Sequence, residues 1–314
     1  MGHFLKWLTK WGILAATATF LVKTLSDNWK DVRGIQLQPD AWMYVGLAIA
    51  IAVAAQLCAA MVWGSILELI RHPVSRRWAI VTLLKNAPAK YLPGSVWHLY
   101  GRVKAAERQG IGVEFATLSV MLEPLFLIAG ALGLALWQHS SMSPLVLGLI
   151  CILVAVHPRI LNRLWRTWRR SRGKEATAGA LRRYPLSVLL GALAFMALRS
   201  LTFICIVLAF TPLTWSMLQP LMSGFSLAWL LSTVIPAPGG LGVFETSAVN
   251  VLNGYLSPGL LLGCVAIYRL VMVSSELIGA GMACLITEGK RDLTHPSSSI
   301  ARNLYNQGVS VAEN

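Results

Sequence analysis

Five ionisable side chains stand inside long apolar runs of this chain: Glu123, Arg199, Glu245, Arg269 and Glu276. A charge at a lipid-exposed helix centre costs at least about 2.5 kcal/mol, so each should face protein or water. Such groups bind ions or polar headgroups, relay protons, or pair with one another for structure. Two basic and three acidic groups leave at least one carboxylate without an intramembrane arginine. That carboxylate can be protonated, meet a cationic ligand, or reach Arg102 or Lys90. Arg269 and Glu276 are seven residues apart, about 10.5 Å along a helix, too far for a direct pair. For Glu245 a plainer role exists, since a carboxylate in a helix's first turn complements the helix dipole.

Two Pro/Gly breaks accompany these charges. One is PAPGGLG, Pro236–Gly242. Proline and glycine interrupt the backbone hydrogen-bond ladder, and orphan polar groups are not tolerated facing lipid. The break must be buried in protein or line a wet cavity. The helix expected after it, Val243–Asn253, would present N–H groups suited to phosphate. The other break is Pro93-Gly94, after which Ser95 could cap a helix starting near Val96. Beside it, Lys90, His98 and Arg102 could meet a phosphate, His98 and Arg102 sharing a helix face at i, i+4. The bland alternatives are a tight turn for each break and interfacial snorkelling for the basic groups.

The elements that must hold these residues are membrane spans. Hydrophobic residues make up 56% of the 314, charged ones 13%, and mean hydropathy is +0.62. The clearest span-length runs are Ala41–Leu67, Phe115–Trp137, Pro185–Phe210 and Gly259–Ile286, with shorter runs at Trp11–Val22 and Pro144–Val156. A net charge of +14 would suit a nucleic-acid binder, but its placement does not. Arg71–Arg108 holds eight basic residues and Arg159–Arg183 nine, whereas Gln138–Ser143 and Thr211–Ser216 hold none. This alternation is the positive-inside pattern, and no nucleic-acid partner is expected. Arg159, Arg163, Arg166, Arg169, Arg170 and Arg172, with Trp165 and Trp168, would suit anionic headgroups.

The expected fold is all-α and polytopic, with about six full spans, both termini cytoplasmic, in the cell (inner or cytoplasmic) membrane. The N-terminal run reads as an uncleaved anchor. Residues 1–287 form one membrane domain and 288–314 a polar cytoplasmic tail. Trp78–Leu99 is half apolar and flanked by basic loops, so it should dip in and return inside. Gln219–Leu252 is either a re-entrant pair or two full spans. The interrupted segments enter from opposite sides, and each precedes a long span with a glutamate. That suggests an inverted repeat, as in many transporters.

The five cysteines lie within apolar runs without metal-ligand spacing and read as small core residues. No HExxH, GxSxG, P-loop or dinucleotide fingerprint occurs. No enzyme activity, metal or cofactor is therefore expected.

AKYLPGSVWHLYGRV (Ala89–Val103), IPAPGGLGVFE (Ile235–Glu245) and AIYRLV (Ala266–Val271) resemble the transmembrane region of the lysylphosphatidylglycerol synthase/flippase family. The resemblance implies re-entrant helical segments and a role in moving lipids. Carried over by motif, it marks Lys90, Pro93, Gly94, Pro238, Gly239, Gly240, Glu245 and Arg269. The soluble aminoacyl-transferase domain of lysyl-lipid synthases has no counterpart in these 314 residues, so no such synthesis is expected. Val273-Ser274-Ser275-Glu276 follows Arg269, where many relatives have an aromatic residue and a proline. The leading expectation is a flippase or transporter for an anionic phospholipid or polyprenyl-phosphate-linked lipid. An intramembrane transferase with a lipid-linked donor, and a non-transporting partner of a separate lipid-modifying or glycosyltransferase enzyme, are the alternatives. Anionic lipids are the expected partners, and self-association is one option.

Overall fold

The computed structural model describes residues 38–91, 96–138, 143–171, 181, 183–235 and 242–294. Its regular elements are helices: α1 (Ala41–Leu69), α2 (Arg76–Asn86), a 3-10 turn (Ala87–Tyr91), α3 (Trp97–Arg108), α4 (Val113–Ala135), α5 (Ser143–Ala155), α6 (Pro158–Ser171), α7 (Leu186–Leu208), α8 (Trp215–Val234), α9 (Val243–Leu252) and α10 (Pro258–Thr294). Among the described residues five helices are long and apolar enough to cross a membrane: α1, α4, α7, α8 and α10 up to Thr287. The α5–α6 pair, bent by 64°, makes a sixth candidate. The fold is thus an all-α, multi-pass membrane bundle. The expected span Trp11–Val22 lies outside the described residues.

Small side chains let the central helices approach closely. Ala48, Ala52, Ala55 and Ala59 form a buried stripe on α1, and the Cys58 thiol donates to the Gly191 carbonyl of α7 at 3.4 Å. On α4, a Cβ added at Gly130 would fall 2.6 Å from the Ala192 carbonyl oxygen of α7. Lipid offers apolar groups no hydrophobic drive to associate, so close packing and interhelical hydrogen bonds must hold the bundle. Trp63 Nε1 donates to Ser119 Oγ at 3.1 Å, Gln56 Nε2 to Ser275 Oγ at 2.9 Å, and Ser223 Oγ to the Ala135 carbonyl at 2.6 Å. Gly130→Val should therefore cost about 1–3 kcal/mol through overpacking. An unchanged thermal unfolding midpoint in detergent would show that α4 and α7 have room to separate.

The segment Trp78–Leu99 folds as two short helices and a 3-10 turn. At 11 and 12 residues, α2 and α3 are each about 16–18 Å long, too short to span. Their outer ends meet, since His72, Ser75 and Trp78 line one cavity of about 430 Å³ with Gln109, Gly110 and Ile111. The chain therefore enters and returns on one face, as a re-entrant hairpin does. Single cysteines beside Arg76 and Arg108 should accordingly be labelled from the same side of the membrane. Labelling from opposite sides would make this segment a span.

Gln219–Leu252 matches neither expected form in full. α8 begins earlier, at Trp215, and its 20 residues reach about 30 Å, whereas the 10 residues of α9 reach about 15 Å. Pro220 sits in the second turn of α8, where its missing N–H removes the bond to the Ser216 carbonyl. α9 folds back across the middle of α8, with Phe244 5.6 Å from Phe225 and Leu252 packed on Gly224. The segment is one span-length helix followed by a half-length one. At the other end of the chain, α10 runs to Thr294, into the region read as a polar tail.

Candidate functional site

Seven of the charged groups singled out in the sequence are tied into ion pairs or gathered near them. Arg102 on α3 pairs with Glu123 on α4, and both side chains are about nine-tenths buried or more. The Trp63 ring covers this pair, 4.3 Å from the guanidinium carbon. Arg269 on α10 donates from Nε to Glu245 Oε1 on α9 at 2.6 Å. Lys90, in the 3-10 turn, pairs with Glu276 on α10.

Two of these pairs occupy equivalent places with their charges exchanged. In each, the short helix after a Pro/Gly break is tied to the long helix that follows. The cation lies on the short helix in the first case (Arg102) and on the long helix in the second (Arg269). The third pair, Lys90–Glu276, joins the first broken segment to the long helix of the second. Of the outcomes open to a carboxylate without an intramembrane arginine, two carboxylates show pairing, Glu123 with Arg102 and Glu276 with Lys90.

Glu245 has two tasks. Gly242 starts α9 at φ 82°, a left-handed conformation that favours glycine. Its N–H donates to Glu245 Oε2 at 2.7 Å. One carboxylate oxygen thus closes the helix start while the other holds Arg269. The anticipated phosphate-ready end of α9 has one N–H already taken by its own side chain.

Arg199 on α7 has no carboxylate within 4 Å among the described residues. Its Nη1 donates to the Tyr268 hydroxyl at 3.2 Å and touches the Met272 sulfur. Its Nε is buried without a hydrogen-bond partner among the described residues, and the Phe195 ring lies 5.3 Å from its guanidinium carbon. Lys90 is close enough to feel the charges of Arg199 and Arg269. Four cations (Lys90, Arg102, Arg199, Arg269) against three carboxylates (Glu123, Glu245, Glu276) leave one positive charge over. The Lys90 and Arg269 side chains are 35% and 33% exposed, while their carboxylate partners are 5% and 4% exposed. In both pairs the carboxylate is the more deeply buried partner.

Comparison of the chain with family models and with curated proteins finds no match. The site is therefore argued from its own residues. His98 stays near the cluster, within electrostatic reach of Arg102 and Lys90, with its Nδ1 buried and unpartnered among the described residues. Pro93, Gly94, Pro238, Gly239 and Gly240 lie outside the described residues. No group of three or more His, Cys, Asp or Glu residues able to hold a metal ion occurs among those described.

Two members of the site escaped the sequence reading. Tyr268 is buried, hydrogen-bonded to Arg199 and ringed by Phe203, Phe225 and Phe244 at 6.1, 5.3 and 5.8 Å. Its position immediately before Arg269, inside a motif already singled out, was the available signal. Trp63 stands alone in an apolar run, and nothing in the sequence marks it as the cover of an ion pair.

Proposed function

We propose that this chain is a lipid flippase or transporter of the lysylphosphatidylglycerol synthase/flippase type. It would move an anionic phospholipid or a polyprenyl-phosphate-linked lipid. The observation that carries this reading is the charged cluster, net positive by one, set beside two broken helical segments in an otherwise apolar bundle. A protein that only needed stable spans would gain nothing from seven charges at the cost of desolvating them. A headgroup crossing hydrocarbon needs such polar surface. Lys90, Arg199 and Arg269 would neutralise the lipid phosphate, and Glu245 or Glu276, once displaced, would receive an amine or a coupling proton. The protein would work in the cytoplasmic membrane with both termini inside, beside a separate enzyme that makes or modifies its lipid.

The test is reconstitution into vesicles with a labelled anionic lipid in the inner leaflet. The expected result is faster appearance of label outside than in protein-free vesicles, for phosphatidylglycerol or a polyprenyl-phosphate lipid. If no anionic lipid moves faster than the protein-free rate, the proposal fails.

A further inference from the structure

The two arms of the re-entrant hairpin enclose a polar space apart from the paired charges. On α2, Trp78, Val81, Thr82 and Lys85 recur at i, i+3, i+4 and i+7, the spacing of one helix face. On α3, Gly101, Lys104, Ala105 and Arg108 repeat that spacing. The two faces meet across a cavity of about 530 Å³ lined by all of these residues, within the usual size of a small-ligand site. Arg102, held by Glu123, lies about 100° round α3 from Gly101 and does not line it.

The Asn86 amide, which also lines the cavity, donates to the Thr82 carbonyl at 2.8 Å. It lies against Gly101, where an added Cβ would fall 1.8 Å from the Asn86 Oδ1. Among the described residues the Asn86 side chain makes no other hydrogen bond. The Thr82 hydroxyl makes none, although Thr82 is only 7% exposed.

Three cations line this space, Lys85, Lys104 and Arg108, and no acidic residue does. Lys104 is held by Glu107 at 2.6 Å. Lys85 and Arg108 are exposed and have no ion-pair partner among the described residues. Three cations and one carboxylate leave two positive charges to be met. Arg108 stands at the outer end of the hairpin with Trp78, whereas Lys85 lies about 10 Å further in along α2. The charges are thus spread along the cleft and converge on it from both helices.

We propose that the cleft between α2 and α3 binds a phosphate monoester. Such a group carries a charge of about −1.5 to −2 near neutral pH and three acceptor oxygens. It matches the two uncompensated cations, and the Thr82 hydroxyl and the Asn86 amide supply neutral donors. A phosphodiester brings a single charge and would leave one cation unmet. The monoester is carried either by a lipid of the surrounding leaflet or by a soluble molecule, and the cleft offers both the same chemistry.

The experiment uses the full chain near neutral pH with two probes offered separately. One is phosphatidic acid, a monoester, set against an equal amount of phosphatidylglycerol, a diester, in phosphatidylcholine nanodiscs, with retained lipid counted by native mass spectrometry. The other is labelled inorganic phosphate in solution. Wild type that prefers phosphatidic acid to phosphatidylglycerol places the monoester on a lipid. Wild type that binds inorganic phosphate without that preference places it on a soluble molecule. In either case raised salt should weaken binding, and K85Q/K104Q/R108Q should lose at least about tenfold, while K85R/K104R/R108K keeps most of it. K85Q alone, at an exposed position, should show a smaller loss in the same direction and serves if the triple variant does not fold. The proposal is overturned if wild type shows neither preference nor phosphate binding, or if the glutamine variants keep what wild type binds. No arm measures transport, and lipid held at the charged cluster would survive these substitutions, so failure here is distinguishable from failure of the flippase reading.

Discussion

Arg102→Leu should lower the stability of the bundle by about 3–5 kcal/mol, the usual consequence of stranding one member of a buried ion pair. Glu123 would remain on α4 with its side chain only 7% exposed and the guanidinium gone. It would have to take up a proton or draw water between α3 and α4. The second variant decides between attraction and mere burial. Arg102→Leu/Glu123→Leu removes both charges and keeps the volume, and buried pairs replaced in this way are often neutral or stabilising. It should recover most of the loss. The measurement is the unfolding midpoint in a fixed detergent–lipid mixture, with helicity checked by circular dichroism. A loss below about 1 kcal/mol for the single variant is the range of an exposed, screened pair, and would show that water reaches Glu123.

For the second pair the larger effect is expected on transport. Glu245→Gln leaves an acceptor for the Gly242 N–H, so the start of α9 should survive, while the charge opposing Arg269 is withdrawn. Arg269→Ala does the reverse and strands a carboxylate that is 4% exposed, so it should be the less stable of the two. If the pair serves lipid movement, each variant should slow vesicle transport by roughly tenfold or more, equivalent to about 1.4 kcal/mol on the barrier. Glu245→Gln/Arg269→Leu should then be stable, capped and still inactive. If the pair serves only structure, that double variant should regain both stability and transport. A stable, active double variant would take Glu245 and Arg269 out of the mechanism and favour a non-transporting membrane partner of a separate synthase.

The span-length helices were legible because apolar runs of that length have few other uses. The charged residues were legible as a set, since each is costly where it stands. Their pairing was less so. The choice of Arg102 for Glu123 and of Lys90 for Glu276 depends on which helix faces meet, and periodicity within one segment carries no information about its neighbour. The spacing of Arg269 and Glu276 excluded one pairing and left Arg102 and Lys90 as possible partners without assigning either to a particular carboxylate. α6 is different: Arg159, Arg163, Arg166 and Arg170 recur at helical spacing, a sign of the helix itself beyond their suitability for anionic headgroups. α8 starts at Trp215, inside the uncharged stretch Thr211–Ser216, where a lack of charge marks a loop and a helix start alike.

The bend between α5 and α6 has a consequence for the bilayer itself. The 13 described residues of α5 supply about 20 Å of helix, against a hydrocarbon thickness of about 30 Å. The 14 residues of α6, turned 64° from it, add only about 9 Å in the same direction. The pair therefore reaches about the thickness of an ordinary bilayer and has little length in reserve. Preference among bilayers should follow acyl-chain length, with long-chain lipids opening a mismatch at this flank and short-chain lipids relieving it.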